Sequence, residues 1–216
     1  MTRRTIFLSG GVVLAALFLG GAMLYRSATS RAAGPQANLA LLDRPHAPSV
    51  GPADAPVTIV EFLDPACETC AVFYPMVKNL MAQHPGQIRL VLRWAPFHPG
   101  SQQVVALLEA ARRQDKFWPA LETLLERQPY WAINHTADAE RAWQQLGSLG
   151  LDVEKVRADM ASAEVGQLIS QDIADAGALN VTQTPEYFVN GRGLPSFGFE
   201  QLQQLVDDAL RQARRR

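Results

Sequence analysis

Residues 57–70 read VTIVEFLDPACETC and join an apolar run to a closely spaced pair of cysteines. The run Val57–Leu63 is rich in β-branched residues and almost wholly apolar, which is the pattern of a central strand covered on both faces. Asp64 and Pro65 then break this pattern. From Cys67 onward, apolar residues recur at helical spacing until the sequence His-Pro-Gly at 84–86. The stretch therefore predicts a strand followed at once by a helix that opens on a CxxC motif.

The CxxC motif contains Cys67 and Cys70, the only two cysteines of the 216-residue chain. Residues three apart lie on one face of a helix, so their sulfurs can form a disulfide without any movement of the fold. The first cysteine would lie among unpaired N–H groups at the positive end of the helix dipole, which stabilise a thiolate. Cys67 is therefore the predicted nucleophile. Cys70 is expected to be more buried and to keep its proton until it resolves a mixed disulfide.

Other uses of a CxxC pair fit this chain less well. A structural crosslink over so short a loop would contribute only about 2 kcal/mol. A zinc site usually has four ligands, and no His-rich partner motif accompanies the pair. A c-type haem site needs His directly after the second cysteine, where residue 71 is Ala. We therefore predict a redox-active dithiol, with no cofactor and no metal-binding residues.

The composition is that of an ordinary globular protein, with 48% hydrophobic residues, 19% charged residues and a net charge of -1. This balance does not suggest nucleic-acid binding or an acidic partner. About 170 residues follow the N-terminal segment, enough for one domain with a substantial core or for a domain that carries an insertion.

The N-terminal segment has the features of an export or membrane signal. Arg3 and Arg4 precede an uncharged run over residues 5–25, and Arg26 closes it. A run of this length favours a retained anchor over a cleaved signal, although small residues at 28–32 leave cleavage open. The two arginines are compatible with a twin-arginine signal, but a simple basic flank is favoured. We expect residues 1–26 to be a signal-anchor or signal peptide that places the body in the cell envelope or periplasm, anchored to the inner membrane.

Periodicity and turn residues predict the remaining elements. Residues 27–55 are rich in Ala, Pro, Gly and Ser and are predicted to be a linker. A second strand, parallel to the first, is expected at residues 87–94 and is followed by a loop. Helical periodicity without a convincing strand fills residues 101–177. A β-hairpin at residues 186–197 and a final helix at residues 199–211 complete the chain.

This order of elements resembles the thioredoxin fold of the DsbA-like thiol-disulfide oxidoreductases. The likeness covers roughly residues 56–211 and rests on four features at family spacing: the CxxC motif, Glu61 six residues before it, Pro75 five residues after it, and Thr184-Pro185 before the hairpin. The expected fold is α/β. Residues 56–100 and 178–216 would form a thioredoxin-fold domain, and residues 101–177 would be an inserted helical subdomain, all preceded by the N-terminal membrane or signal helix.

The resemblance implies roles for Glu61 and for Thr184-Pro185. A cis-proline loop at 184–185 would lie beside the cysteines, and the backbone of Thr184 would pair with an extended substrate. Glu61 would lie beneath Cys70 and relay its proton. A carboxylate inside an apolar strand costs several kcal/mol unless it is protonated, paired or hydrated. An ordinary trans-proline that opens a strand, and a glutamate that faces solvent, are the open alternatives.

The sequence departs from the family between the two cysteines. Strong oxidants of the group carry Pro-His there, whereas this chain carries Glu68 and Thr69. A negative charge beside Cys67 should raise its pKa relative to a His-bearing motif and make the disulfide less oxidising. These two residues are the predicted redox-tuning positions, with a reduction potential between about -120 and -270 mV.

The favoured function is an envelope dithiol oxidase that exchanges its disulfide with substrate proteins and acts as a monomer. As the resemblance implies, a DsbB-like membrane partner would reoxidise it. The enzymatic alternative is a reductase or isomerase kept reduced by a membrane electron donor. A third possibility is a Cu(I) metallochaperone that uses the same two thiolates as soft ligands.

Overall fold

The computed structural model describes residues 36–215 of the chain. The predicted signal or anchor segment, residues 1–26, lies outside the described residues. Within residues 36–215, no helix is long and apolar enough to cross a membrane.

The described residues form both strands and helices. The strands are β1 (Ser49–Val50), β2 (Val57–Leu63), β3 (Ile88–Trp94), β4 (Ala132–Ile133), β5 (Thr136–Ala137), β6 (Glu186–Val189) and β7 (Arg192–Gly193). The helices are α1 (Leu39–Leu42), α2 (Glu68–Gln83), α3 (Ser101–Arg112), α4 (Phe117–Glu126), α5 (Ala139–Gln145), α6 (Val153–Met160), α7 (Ala163–Ala178) and α8 (Phe199–Ala213). Single 3-10 turns follow α4 at Gln128–Tyr130 and α5 at Gly147–Leu149.

A five-stranded mixed sheet in the order β1-β3-β2-β6-β7 forms the centre of the fold. Strand β2 lies in its middle, parallel to β3 and antiparallel to β6, so that Glu61 lies beside Leu92 on one side and Tyr187 on the other. All residues of β2 except Thr58 are buried, which explains the apolar run in the sequence. Helix α2 connects the two parallel strands, as predicted, and continues past Pro75 to Gln83. Helix α8 packs against β2 and β6.

The segment between β3 and β6 is mainly helical, as the sequence predicts. Helix α3 is its central element, buried from Val104 to Ala111 and packed against α4, α5, α6 and α7. Helix α7 also contacts β3 and so joins these helices to the sheet. The β4-β5 hairpin within this segment was not predicted. Each of its strands has only two residues, too few to show an alternating pattern.

The assignment of residues 27–55 as a linker is wrong for the part that the structure describes. Strand β1 pairs with β3, with Ser49 opposite Val91, and Leu42 is buried in the core. Arg44 also forms an ion pair with Asp175 of α7, with a nitrogen–oxygen distance of 2.7 Å. A two-residue edge strand and one buried leucine leave no periodic signal in a Pro-rich sequence, yet they attach this segment to the folded domain.

Candidate active site

The cysteine pair lies where β2 passes into α2. Cys67 is the N-cap residue of α2 and has an extended backbone, while Cys70 lies one turn inside the helix. Both are free thiols, and both are buried, with 6% of Cys67 and none of Cys70 exposed. The structure therefore brings the two sulfurs together at the helix N-terminus, as the spacing predicts.

The environment of Cys67 favours the thiolate. A hydrogen bond from the Cys70 thiol is the largest cause that lowers the pKa of Cys67, to about 5, and the backbone N–H groups of Cys70 and Thr69 also lower it. These N–H groups belong to the first turn of α2, where they have no partner within the helix. At neutral pH, Cys67 is therefore mostly thiolate, the form in which a cysteine can act as a nucleophile.

The environment of Cys70 favours the neutral thiol. Burial is the main cause that raises the pKa of Cys70 well above its usual value, followed by its hydrogen bond to Cys67 and the nearby negative charge of Glu61. The pKa values of the two thiols, three residues apart, are thus shifted in opposite directions. One is ready to attack, and the other retains its proton.

The Thr184-Pro185 peptide bond is cis, so the alternative of an ordinary trans-proline is wrong. This loop faces the cysteines, because the carbonyl oxygen of Thr184 lies 3.2 Å from Sγ of Cys67 and can accept a hydrogen bond from the protonated thiol. Pro185 is buried and Thr184 is partly exposed. The loop opens β6 and leaves the backbone of Thr184 beside the reactive sulfur.

Glu61 is fully buried in β2, so the alternative of a solvent-facing glutamate is also wrong. Tyr187, its neighbour in β6, donates a hydrogen bond from its hydroxyl to Oε1 at 3.1 Å. Within the described residues, Oε2 has no hydrogen-bond partner. Burial is the main cause that raises the pKa of Glu61 to about 8, although the Tyr187 hydrogen bond opposes it. Glu61 can therefore gain or lose a proton near neutral pH.

Asp64 is a site residue that the sequence analysis missed. It is fully buried at the end of β2 and accepts hydrogen bonds from the backbone N–H of Ala66 at 2.9 Å and of His98 at 2.8 Å. It also contacts Nδ1 of His98 at 2.7 Å and accepts a hydrogen bond from the Ser101 hydroxyl. An aspartate before Pro-Ala-Cys is a turn signal, but its partners His98 and Ser101 lie more than 30 residues further along the chain.

Gln128 is a second residue that the sequence analysis missed. Its buried side-chain amide donates hydrogen bonds to the carbonyl oxygens of Pro65 at 2.7 Å and Cys67 at 3.0 Å. It therefore holds the loop that carries the nucleophile from the side of the helical segment. No feature of the local sequence around residue 128 indicates this contact.

Glu68 and Thr69, the two residues between the cysteines, differ in their exposure to solvent. Glu68 is exposed, and its carboxylate lies 3.3 Å from Nδ1 of His135 in the β4-β5 turn, while Thr69 is partly exposed. Glu68 is not among the causes that shift the pKa of Cys67, whereas the backbone N–H of Thr69 is.

Glu68, His98 and His135 each offer one potential metal ligand atom, and these atoms lie within 4.8 Å of one another. The sequence analysis did not group these residues.

A protein-family model described as "Thioredoxin" matches residues 43–208 of the chain. The chain belongs to the thioredoxin family. A solved thioredoxin-like oxidoreductase from Silicibacter pomeroyi DSS-3 is 30% identical, with a TM-score of 0.69 over 83% of this chain and 99% of that one. Disulfide bond formation protein D of Bacillus subtilis is 25% identical over 180 residues, which cover 76% of this chain and 77% of the relative.

This member of the thioredoxin family also resembles part of a longer protein. An Na(+)/H(+) antiporter NhaA of Herminiimonas arsenicoxydans is 34% identical over 191 residues, or 85% of this chain, but the chain spans only 30% of that protein. The comparisons confirm the predicted α/β thioredoxin fold and the resemblance to DsbA-like thiol-disulfide oxidoreductases. The similarity to a thioredoxin-like oxidoreductase and to disulfide bond formation protein D agrees with the predicted enzyme class, a protein disulfide oxidoreductase.

Proposed function

We propose that this thioredoxin-family chain is a dithiol oxidase of the cell envelope, which passes a Cys67–Cys70 disulfide to thiols of substrate proteins. One observation carries the proposal: the pKa of Cys67 is lowered to about 5, while that of its partner Cys70 is raised. A stabilised thiolate favours the reduced enzyme, which makes the enzyme's disulfide a better oxidant of other thiols. No cofactor is needed, because the cysteine pair itself carries the two electrons.

The reaction would proceed in two exchanges. A substrate thiolate attacks Sγ of Cys67, the Cys67–Cys70 bond breaks, and Cys70 leaves and takes up a proton. A second substrate thiolate then attacks the substrate sulfur of the mixed disulfide, and Cys67 leaves as its stabilised thiolate. The substrate dithiol is oxidised to a disulfide, and the enzyme disulfide is reduced to a dithiol.

Two further assignments complete this mechanism. Glu61 would act as the acid and base for Cys70, since the pKa of each buried group is raised and the charge of one affects the other. The backbone of Thr184, next to Pro185, would pair with the extended substrate chain as an added strand. Its carbonyl oxygen lies 3.2 Å from Sγ of Cys67, so a peptide paired with Thr184 would lie beside the reactive sulfur.

The oxidising strength is proposed to be intermediate within the superfamily. Nucleophilic cysteines with pKa values of about 3.5 and about 7 belong to family members with potentials of about -120 and -270 mV. The pKa of about 5 for Cys67 falls between them. Glu68 and Thr69 are proposed to tune the reduction potential, Thr69 through the backbone N–H that lowers the pKa of Cys67 and Glu68 through its carboxylate, which lies 3.3 Å from Nδ1 of His135.

The setting of the reaction is also a proposal. We assign residues 1–26 to an envelope-targeting anchor or signal, residues 56–100 and 178–216 to the thioredoxin domain, and residues 101–177 to an insertion. The chain would act as a monomer in the periplasm, held at the inner membrane and reoxidised by a DsbB-like membrane protein. Reversed electron flow, as a reductase or isomerase, and Cu(I) delivery by the two thiolates are the alternatives.

The test of direction is the redox state of the cysteine pair in cells, trapped by acid and alkylation, with the Cys67→Ser/Cys70→Ser double variant as the unmodifiable control. A mostly disulfide population supports the oxidase. A mostly dithiol population would instead identify a reductase or isomerase. Equilibration with glutathione gives the potential, and a value near -120 mV would contradict the intermediate strength. Tight stoichiometric Cu(I) without exchange activity would favour the metallochaperone.

A further inference from the structure

We propose that Glu68, His98 and His135 form a binding site for a divalent transition-metal ion of the zinc type, outside the cysteine pair. The three residues come from the first turn of α2, the loop after β3 and the β4-β5 turn. One ligand atom of each lies within 4.8 Å of the others. Two imidazoles and one carboxylate are a donor set that zinc accepts, with water in the fourth position.

The spacing of the three ligand atoms is close to what such an ion requires. Tetrahedral zinc with bonds of about 2.0 to 2.2 Å keeps neighbouring donor atoms about 3.3 Å apart. Glu68 and His135 are both exposed, with most of each side chain in solvent, so rotation of these side chains can close the remaining distance. The cluster can therefore contract around an ion without movement of the backbone.

His98 is held in the orientation that a metal ligand needs. Its Nδ1 lies 2.7 Å from Oδ2 of Asp64, and its backbone N–H donates to the same oxygen at 2.8 Å. Because the buried carboxylate accepts the proton on Nδ1, the lone pair is left on Nε2. A carboxylate behind the imidazole is the usual support of a metal-binding histidine, since it fixes both the ring and its tautomer.

The β4-β5 hairpin brings His135 to the other two residues. Asn134 and His135 form its turn and have φ angles of 52° and 58°, a left-handed conformation that few non-glycine residues adopt. The hairpin is fixed to the loop of His98, because the N–H of Ala137 donates to the carbonyl of Pro99 at 2.8 Å. At Gly100 a side chain is excluded, since a Cβ atom would lie 2.1 Å from the carbonyl oxygen of Ala137. As a result, the rings of the two histidines lie nearly parallel, with centroids 5.9 Å apart.

The test is calorimetric titration of Zn²⁺ into the full chain in its disulfide form, in which the cysteines cannot act as ligands. We expect one Zn²⁺ per chain, and an affinity that falls about tenfold or more in His135→Gln and in Glu68→Gln. The matched control is His84→Gln, which removes a histidine at the far end of α2, near Asp207, and should leave the affinity unchanged. Circular dichroism confirms that each variant is folded.

Three results would overturn the metal site. These are no zinc binding by the disulfide form, an unchanged affinity in both His135→Gln and Glu68→Gln, or zinc binding that occurs only with reduced cysteines and is lost in the Cys67→Ser/Cys70→Ser variant. The titration reads metal binding alone, so its outcome is independent of whether the chain is an oxidase.

Discussion

The hydroxyl of Tyr187 donates a hydrogen bond to one carboxylate oxygen of Glu61, while the other oxygen has no partner among the described residues. The two residues are cross-strand neighbours in the middle of the sheet. Burial raises the pKa of this carboxyl to about 8, so both protonation states are accessible near neutral pH. A buried carboxyl with only one hydrogen-bonded oxygen and a pKa near neutral pH is suited to proton transfer rather than to stabilising the fold.

Replacing Glu61 by Gln should slow the exchange steps in which Cys70 gains or loses its proton, by about 100-fold at neutral pH. The amide is nearly isosteric but cannot carry a proton between solvent and sulfur. Stopped-flow measurement of disulfide transfer to a reduced peptide gives this rate. Glu154→Gln, at a remote and exposed position, is the matched control and should react like the parent. An equal rate in both variants would contradict the role of Glu61.

The same substitution should change the pH dependence of stability. The folded pKa of Glu61, about 8, lies above its ordinary value of 4.5, so the folded protein keeps a proton that the unfolded chain loses between these two pH values. Its contribution to the free energy of unfolding is therefore fully present below about pH 4.5 and is lost as pH rises through 8. Glu61→Gln should remove this decline and gain on the order of 5 kcal/mol above pH 8. Urea unfolding of the disulfide form across this pH range measures the free energy of unfolding of both proteins. If the free energies of the parent and of Glu61→Gln changed with pH in the same way, the prediction would be wrong.

Alkylation of Cys67 should follow an apparent pKa of about 5, which iodoacetamide rates against pH will show. Because the Cys70 thiol is the largest cause that lowers this pKa, Cys70→Ala should raise it. Cys70→Ser keeps a hydrogen-bond donor and should raise it less. The lowered pKa also stabilises the reduced fold, fully above the ordinary cysteine pKa of about 9, and this gain is lost as pH falls through about 5. A pKa of Cys67 that stays at the parent value in both variants would exclude the Cys70 thiol as the main donor.

Asp64→Asn should lower the free energy of unfolding by about 3 kcal/mol, because a buried carboxylate that accepts several hydrogen bonds is replaced by a group with one acceptor oxygen. Chemical denaturation measures the change. Asp54→Asn, in an exposed turn, is the matched control and should stay within about 0.5 kcal/mol of the parent. A similar small effect at both positions would mean that Asp64 does not organise the loop before Cys67.

The sequence predicts the elements whose signal is local. Strand β2 has a continuous apolar pattern, α2 has helical spacing after a breaker, and CxxC fixes where the chemistry lies. The Thr184-Pro185 loop could be placed only through the family resemblance, because its partner Cys67 is more than 100 residues away in the chain. A periodic pattern carries no information on such pairs.

The contacts that the sequence did not predict are made between distant polar residues. Arg93 is fully buried in β3, and its guanidinium is neutralised by Asp172 and Asp175 of α7 at 2.7 Å each. The pairing of Asp64 with His98, and of Glu68 with His135, likewise depends on how loops are brought together. Each partner alone resembles an ordinary surface residue in the sequence, and only the folded chain reveals the pair.

The buried amide of Gln128 links the helical segment to the carbonyl oxygens of Pro65 and Cys67. The helices between β3 and β6 therefore cannot be replaced without regard to the loop before α2. A chimera that received the insertion of a relative without glutamine at this point would leave two main-chain acceptors next to the nucleophile without that donor. Exchange of modules between such enzymes would require this single side chain to be transferred together with the loop that it supports.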